Sequence, residues 1–233
     1  MTSPSASRFP VWVTVLTAGI IVGMAMGLRQ VMGLYLQPMT SDLGLGREPF
    51  SNSMAIANLV WGIGSIAAGA IADKYGAGRV IVASALATTV GLYLMYAAHS
   101  PMDLYISGVL LGLGVCGTGV SALVGAVGRA VPAEKRIAAI ASLGMAAGIG
   151  GFIAFPYAHL LIEYLGWQNS LLVLAATACL MIPLAYPLSG KPVTQLSSKP
   201  QSLTGAFKEA FAYPSFWLLT GGFFVCGFHV AFY

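Results

Sequence analysis

Six times within its first 188 residues the chain stays apolar for about twenty residues or more, over 11–36, 50–72, 79–98, 104–127, 137–162 and 168–188. A seventh run begins near Phe216 and is still apolar at Tyr233. A helix needs about 20 apolar residues to cross the hydrocarbon core of a bilayer. The runs are continuous rather than alternating. That favours helices, whose backbone groups pair within one segment, over barrel strands. Only 8% of the residues are charged, against about 25% in a soluble domain, too few to clothe a globular surface. The reading is all-α: a polytopic bundle of membrane-spanning helices, with the lipid bilayer as a partner.

The connections alternate in charge. Residues 37–49, 99–103 and 163–167 hold one basic residue, Arg47, and four acids. The opposite set holds nine basic residues: Arg8, Lys74, Arg79, Arg129, Lys135, Arg136, Lys191, Lys199 and Lys208. Basic residues gather on the cytoplasmic side, which puts the N-terminus inside, in the plasma (inner) membrane. The expected organisation is a cytoplasmic tail over 1–10, a six-span bundle over 11–188, a polar cytoplasmic linker over 189–214 and the start of a seventh span over 215–233. Within the linker, "GAFKEAF" suits either a short amphipathic helix on the inner surface or a flexible loop. The last run stops without a flanking anchor, so the chain is expected to be a fragment of a longer protein.

Several function classes are disfavoured. The basic residues are scattered and form no nucleic-acid-binding stripe. Cys116, Cys179 and Cys226 lie inside apolar runs, without zinc or disulfide spacing. The sequence shows no P-loop, no histidine metal motif and no nucleophile–base pair, so an enzyme is not expected and no cofactor is called for. Glycines are patterned instead. Gly19, Gly23 and Gly27 are spaced by four in the first span; "GVLLGLGVCGTG" fills the fourth and "GMAAGIGG" the fifth. Such spacing lets helix backbones approach closely.

One charged knot, "GAIADKYGAGR" at 69–79, separates the second and third runs. Gly69 allows close helix approach, Asp73 accepts hydrogen bonds or pairs with a base, Lys74 and Arg79 anchor at head groups, and Gly76 and Gly78 permit a tight reversal. The stretch resembles the signature loop of the major facilitator superfamily, roughly G-x-L-A-D-R/K-x-G-R/K-R/K. Gly69, Asp73, Lys74 and Gly76 match; Ala77 and Gly78 stand where basic residues are usual, and Arg79 comes one place late. The resemblance covers the whole chain and implies the six-helix N-terminal half of a 12-helix transporter, with the C-terminal six-helix half missing and 69–79 as a gating loop. "GLRQVMGLYLQPM", "EKRIAAIASLGMAAGIGG", "GWQNS" and "PSFWLLTGGFFVCGF" resemble the monocarboxylate and oxalate/formate-type branch. Gly108 replaces an arginine common in proton-coupled members, and Gly148-Ile149 replaces the Gly-Pro of drug antiporters. Both departures point away from a proton-coupled drug exporter.

Arg29 is the most informative single residue. It lies about 10 Å inward from Leu36 at 1.5 Å per residue. A central arginine costs about 2.5–3.5 kcal/mol on insertion scales. A wet cavity and an anion lower that cost, and a guanidinium fork suits a carboxylate; snorkelling or a structural role is the alternative. Gln30, Asn58, Thr118 and Ser121 are further candidates for substrate contact, with Tyr35 and Trp61 as walls. His159 and Glu163 read as interface anchors. The expected function is secondary active transport of a small organic anion, a mono- or dicarboxylate, by alternating access. The alternatives are a carrier for a neutral or cationic solute and a non-transporting receptor on the same fold.

Overall fold

The computed structural model describes residues 10–189, Gly205, Glu209 and residues 211–232, with the backbone alone at Arg129, Ala133, Cys226 and 228–232. Most of the expected tail and linker lie outside the described residues, as do Arg8, Lys191, Lys199 and Lys208. Helix is the only regular structure among the described residues. The chain divides into one unit up to Val193 and a second from Thr194.

The first unit contains α1 (Val11–Gln30), α2 (Met32–Leu43), α3 (Arg47–Tyr75), α4 (Ala77–Tyr96), α5 (Pro101–Thr118), α6 (Val120–Ala130), α7 (Arg136–Cys179) and α8 (Met181–Leu184). Five stretches are long and apolar enough to cross a membrane: Val11–Leu43, Arg47–Tyr75, Ala77–Tyr96, Pro101–Gly128 and Arg136–Leu184. The last has 49 residues, about 74 Å of helix against a core of about 30 Å. It bends at Gly166, whose φ is +75°, and so makes two crossings. Six crossings therefore form the first unit, as the sequence predicts.

Three boundaries differ from expectation. Residues 37–43 continue the first span as helix, so the connection to α3 shrinks to residues 44–46, with Gly44 left-handed at φ +64°. The reversal at the charged knot is one residue, Gly76 (φ +96°, ψ 141°), which lies between α3 and α4. Gly78 lies inside α4 and serves packing instead, because a Cβ there would strike Ser189 at the end of the sixth crossing.

The fourth crossing is broken at Gly119, whose extended backbone (ψ 170°) ends α5 and starts α6. The stretch 100–103 forms a capping box: Ser100 N–H donates to Asp103 Oδ2 at 2.9 Å, and Asp103 N–H to Ser100 Oγ at 3.4 Å.

Glycine sets the helix contacts. α1 packs on α7 through Gly23, Gly27, Gly150 and Ala154; a Cβ on Gly27 would sit 2.8 Å from both the Gly150 oxygen and the Ala154 Cβ. α5 uses two glycine faces. Gly108 and Gly112 lie on Ser53 and Ala57 of α3, while Gly114 and Gly117 lie on Thr88 and Ser84 of α4. The close approach lets serines donate across to backbone carbonyls, Ser53 Oγ to Leu104 at 2.5 Å and Ser107 Oγ to Gly91 at 2.8 Å. Gly69, Gly144 and Gly148 meet open space in this unit, so the packing role expected for Gly69 is not seen there. α3 and the first crossing of α7 carry the exposed apolar side chains Leu59, Ile63, Ile66, Met145, Phe152 and Ile153.

In the second unit, α9 (Pro214–Phe232) is an apolar helix at the expected seventh run. Trp217 Nε1 donates to the Phe211 oxygen at 3.1 Å, and the Phe216 ring lies edge-on to Phe211 with centroids 5.4 Å apart.

Candidate substrate site

The end of α1 places Arg29 far from both ends of its crossing. Past a turn at Val31, helix resumes to Leu43, about 21 Å beyond Arg29, and α1 begins about 27 Å before it at Val11. Helical continuity breaks at Val31, directly after Arg29 and Gln30, with the Leu34 N–H turning back to the Val31 oxygen at 3.0 Å. Arg29 points away from the glycine stripe of its own helix, which faces α7. Its guanidinium reaches α3 instead.

Arg29 Nη2 donates to Asn58 Oδ1 at 2.7 Å. Its Cζ stands 4.7 Å from the centroid of the Trp61 ring. Asn58 and Trp61 are three residues apart on α3 and share a face. Both partners are neutral, so neither cancels the arginine's charge. The side chain is partly buried and Asn58 is exposed, so the group opens onto the protein surface. Behind the ring, Cys116 donates its thiol to the Gly112 oxygen at 3.2 Å, with the Val60 and Trp61 oxygens at 3.6 and 3.7 Å. α6 touches both α1 and α3 and exposes Ser121 in its first turn.

The other candidates lie elsewhere. Gln30 is exposed, but its amide rests on Gly151 of α7. Thr118 is fully buried and donates to the Gly114 oxygen at 2.7 Å, so its hydroxyl is satisfied within its own helix. Tyr35 is likewise buried and forms no wall. It meets Ser170 at 2.9 Å, and because the single Ser170 hydrogen goes to the Trp167 oxygen, the tyrosine is the donor. In the sequence, "GWQNS" serves only as a branch marker. In the fold it is a staple: Gly166 makes the bend, Trp167 Nε1 donates to Asp42 Oδ2 at 2.9 Å, and Ser170 takes the tyrosine. A cleft of about 460 Å³ lies beside it. His159 and Glu163 are exposed near the end of the fifth crossing, close to the Gly166 bend.

The residues of the expected gating loop form the α3–α4 corner. Asp73, Lys74 and Arg79 are exposed, Gly76 is buried, and Lys74 Nζ lies 5.2 Å from the centroid of the Tyr75 ring. Ala77 and Gly78, at the positions where the family motif is basic, are buried. A larger groove of about 1170 Å³ follows the α1–α7 seam. Among the described residues of its lining Lys135 is the one that is charged, and the Arg29 cluster is not among them.

This architecture agrees with comparison to known proteins. The family model of the Major Facilitator Superfamily matches residues 11–233. The chain belongs to the Major Facilitator Superfamily. Within it, the chain is 29% identical over 227 residues to Monocarboxylate transporter 11 of Mus musculus, covering 92% of this chain and 50% of the mouse protein. It is 24% identical over 191 residues to a gallate transporter of Pseudomonas putida, covering 76% of this chain and 41% of that protein. The chain thus spans about half the length of the relatives it matches. Both of these relatives are named as transporters. A peptide transporter, POT, solved in complex with alafosfalin shares the fold, with a TM-score of 0.63 at 18% identity over 96% of this chain and 46% of that one. This major facilitator chain is an integral membrane protein of a transporter family.

Proposed function

We propose that this chain is the N-terminal half of a secondary active carrier for a small organic anion, and that Arg29 is the anion-binding group. The observation that carries the reading is the neutral company of Arg29: a guanidinium deep in a span, bonded to an amide oxygen and lying over an indole ring. A buried charge is costly unless a partner meets it. A carboxylate from the substrate supplies that partner through two parallel N–H···O bonds. Relatives named for monocarboxylates and for gallate support a carboxylate as cargo.

The mechanism needs no covalent step. Substrate binds near the midplane, between this half and a second six-helix half, and the two halves rock about it. The exposed apolar faces of α3 and α7 suit burial against that second half, and the α3–α4 corner with Asp73, Lys74 and Arg79 suits a cytoplasmic gate. Ser121 and Gln30 flank the path. The N-terminus faces the cytoplasm by its basic loops.

Counterflow of labelled carboxylates into vesicles bearing the complete carrier tests the reading, beside the variant Arg29→Gln. Saturable uptake in the parent and its loss in a folded variant are expected. Equal uptake in both removes Arg29 from the mechanism. Absence of carboxylate uptake in the parent overturns the anion assignment.

A further inference from the structure

We infer that Asn58 sets the charge class of the substrate, holding the Arg29 fork through a neutral oxygen so that the positive charge remains for the ligand. The inference rests on the carrier reading above and adds a specificity-determining residue to it.

The argument begins with the guanidinium. It has five N–H donors and two faces that can grip a carboxylate with paired bonds. Nη2 carries one N–H in each face. The 2.7 Å bond from Nη2 to Asn58 Oδ1 occupies one of these groups and leaves the other face for a ligand. Trp61 lies against the guanidinium, its ring centroid 4.7 Å from Cζ. Asn58 and Trp61 come from the same face of α3, so one helix supplies both contacts of the arginine. The glycine contacts at 108 and 112 fix that helix in turn, since Ser53 and Ala57 lie directly on α5.

The chemistry at position 58 then decides what the fork can bind. An amide oxygen orients Arg29 and contributes no net charge. A carboxylate of the same shape would hold the arginine more tightly and cancel it. The pocket would then favour neutral or zwitterionic cargo. Asn58 is thus a positioning residue whose neutrality matters more than its bond.

The test compares Asn58→Asp with Asn58→Ala in the complete carrier, using labelled acetate, lactate, benzoate and gallate as probes. Asn58→Asp keeps the shape and strengthens the bond to Arg29. It should fold with unchanged or higher thermal stability, yet raise the apparent KM for carboxylates by about tenfold to a hundredfold. Asn58→Ala removes the bond and keeps the arginine's charge available. It should raise KM by about threefold or less. This order separates specificity from a structural role, because a merely structural asparagine is better replaced by aspartate than by alanine.

Asn58→Asp transporting carboxylates like the parent, or Asn58→Ala being the more damaged of the two, overturns the inference. If the aspartate variant does not fold, Asn58→Ala alone decides, and a rise in KM beyond about tenfold sinks the idea. Arg29→Gln distinguishes the levels. If it transports like the parent, the arginine site itself fails. If it is inactive while the two Asn58 variants show the wrong order, only the role of Asn58 fails.

Discussion

A methyl group added at Gly150 would land on the backbone of Gly23, and one added at Gly23 would sit 2.9 Å from the Ala146 oxygen. The first and fifth crossings therefore touch through bare backbone. Gly150→Ala must push α1 and α7 apart, which should cost about 1–3 kcal/mol and lower the thermal midpoint in detergent. Gly148→Ala, which faces open space in this unit, should be neutral or gain up to about 1 kcal/mol from helix propensity. Identical melting of the two variants would mean that the seam is not tight.

The hydroxyl pair of Tyr35 and Ser170 ties the first crossing to the sixth in a buried setting. Tyr35→Phe leaves Ser170 without its donor, and Ser170→Ala leaves the phenol without an acceptor. Each should cost about 1 kcal/mol. The double variant should cost less than the sum of the two, since they remove one shared interaction. Strict additivity in a double-mutant cycle would show that the two groups do not depend on each other.

Gly76 holds a positive φ of 96° as the only residue between α3 and α4. Gly76→Ala should cost about 1–2 kcal/mol through backbone strain. Gly69→Ala should leave the melting of this half unchanged. In the complete carrier, Gly69→Leu should slow counterflow while the half still folds, because the open side at Gly69 is where a second half would pack. Unchanged counterflow would remove Gly69 from the gate.

Restoring the usual basic residue with Gly78→Arg should reduce folded yield, because position 78 is buried against Ser189. Adding Ser189→Gly should recover part of the loss. A well-folded single variant would show that the end of the sixth crossing yields easily.

The crossings were legible because continuous hydrophobicity over a bilayer thickness leaves few alternatives to helix. The glycine stripe at 19, 23 and 27 was legible because its spacing projects one face. Burial was harder to read. Thr118 carries the same hydroxyl as a cavity residue would, yet it turns back onto Gly114, and nothing in its neighbours' identity announces that. Tyr35 reads as a wall residue because its partner, Ser170, lies far along the chain. Arg29 is legible as an anomaly within an apolar run, but its partners are not. Pro38 and the polar residues after it looked like a loop, and they continue the helix instead. The meeting of Arg29 with Asn58 and Trp61 depends on the separation of α1 and α3 across α6, which no local pattern encodes.

The joints of the bundle are short. Three residues connect α2 to α3, one connects α3 to α4, and four connect α4 to α5. Each residue of connection spans at most about 3.6 Å, so these rods have almost no slack between them. A linkage with so little play cannot lengthen one crossing's path without dragging its neighbours. Its freedom is that of a solid block, and displacement of any one rod at these corners becomes rotation of the whole.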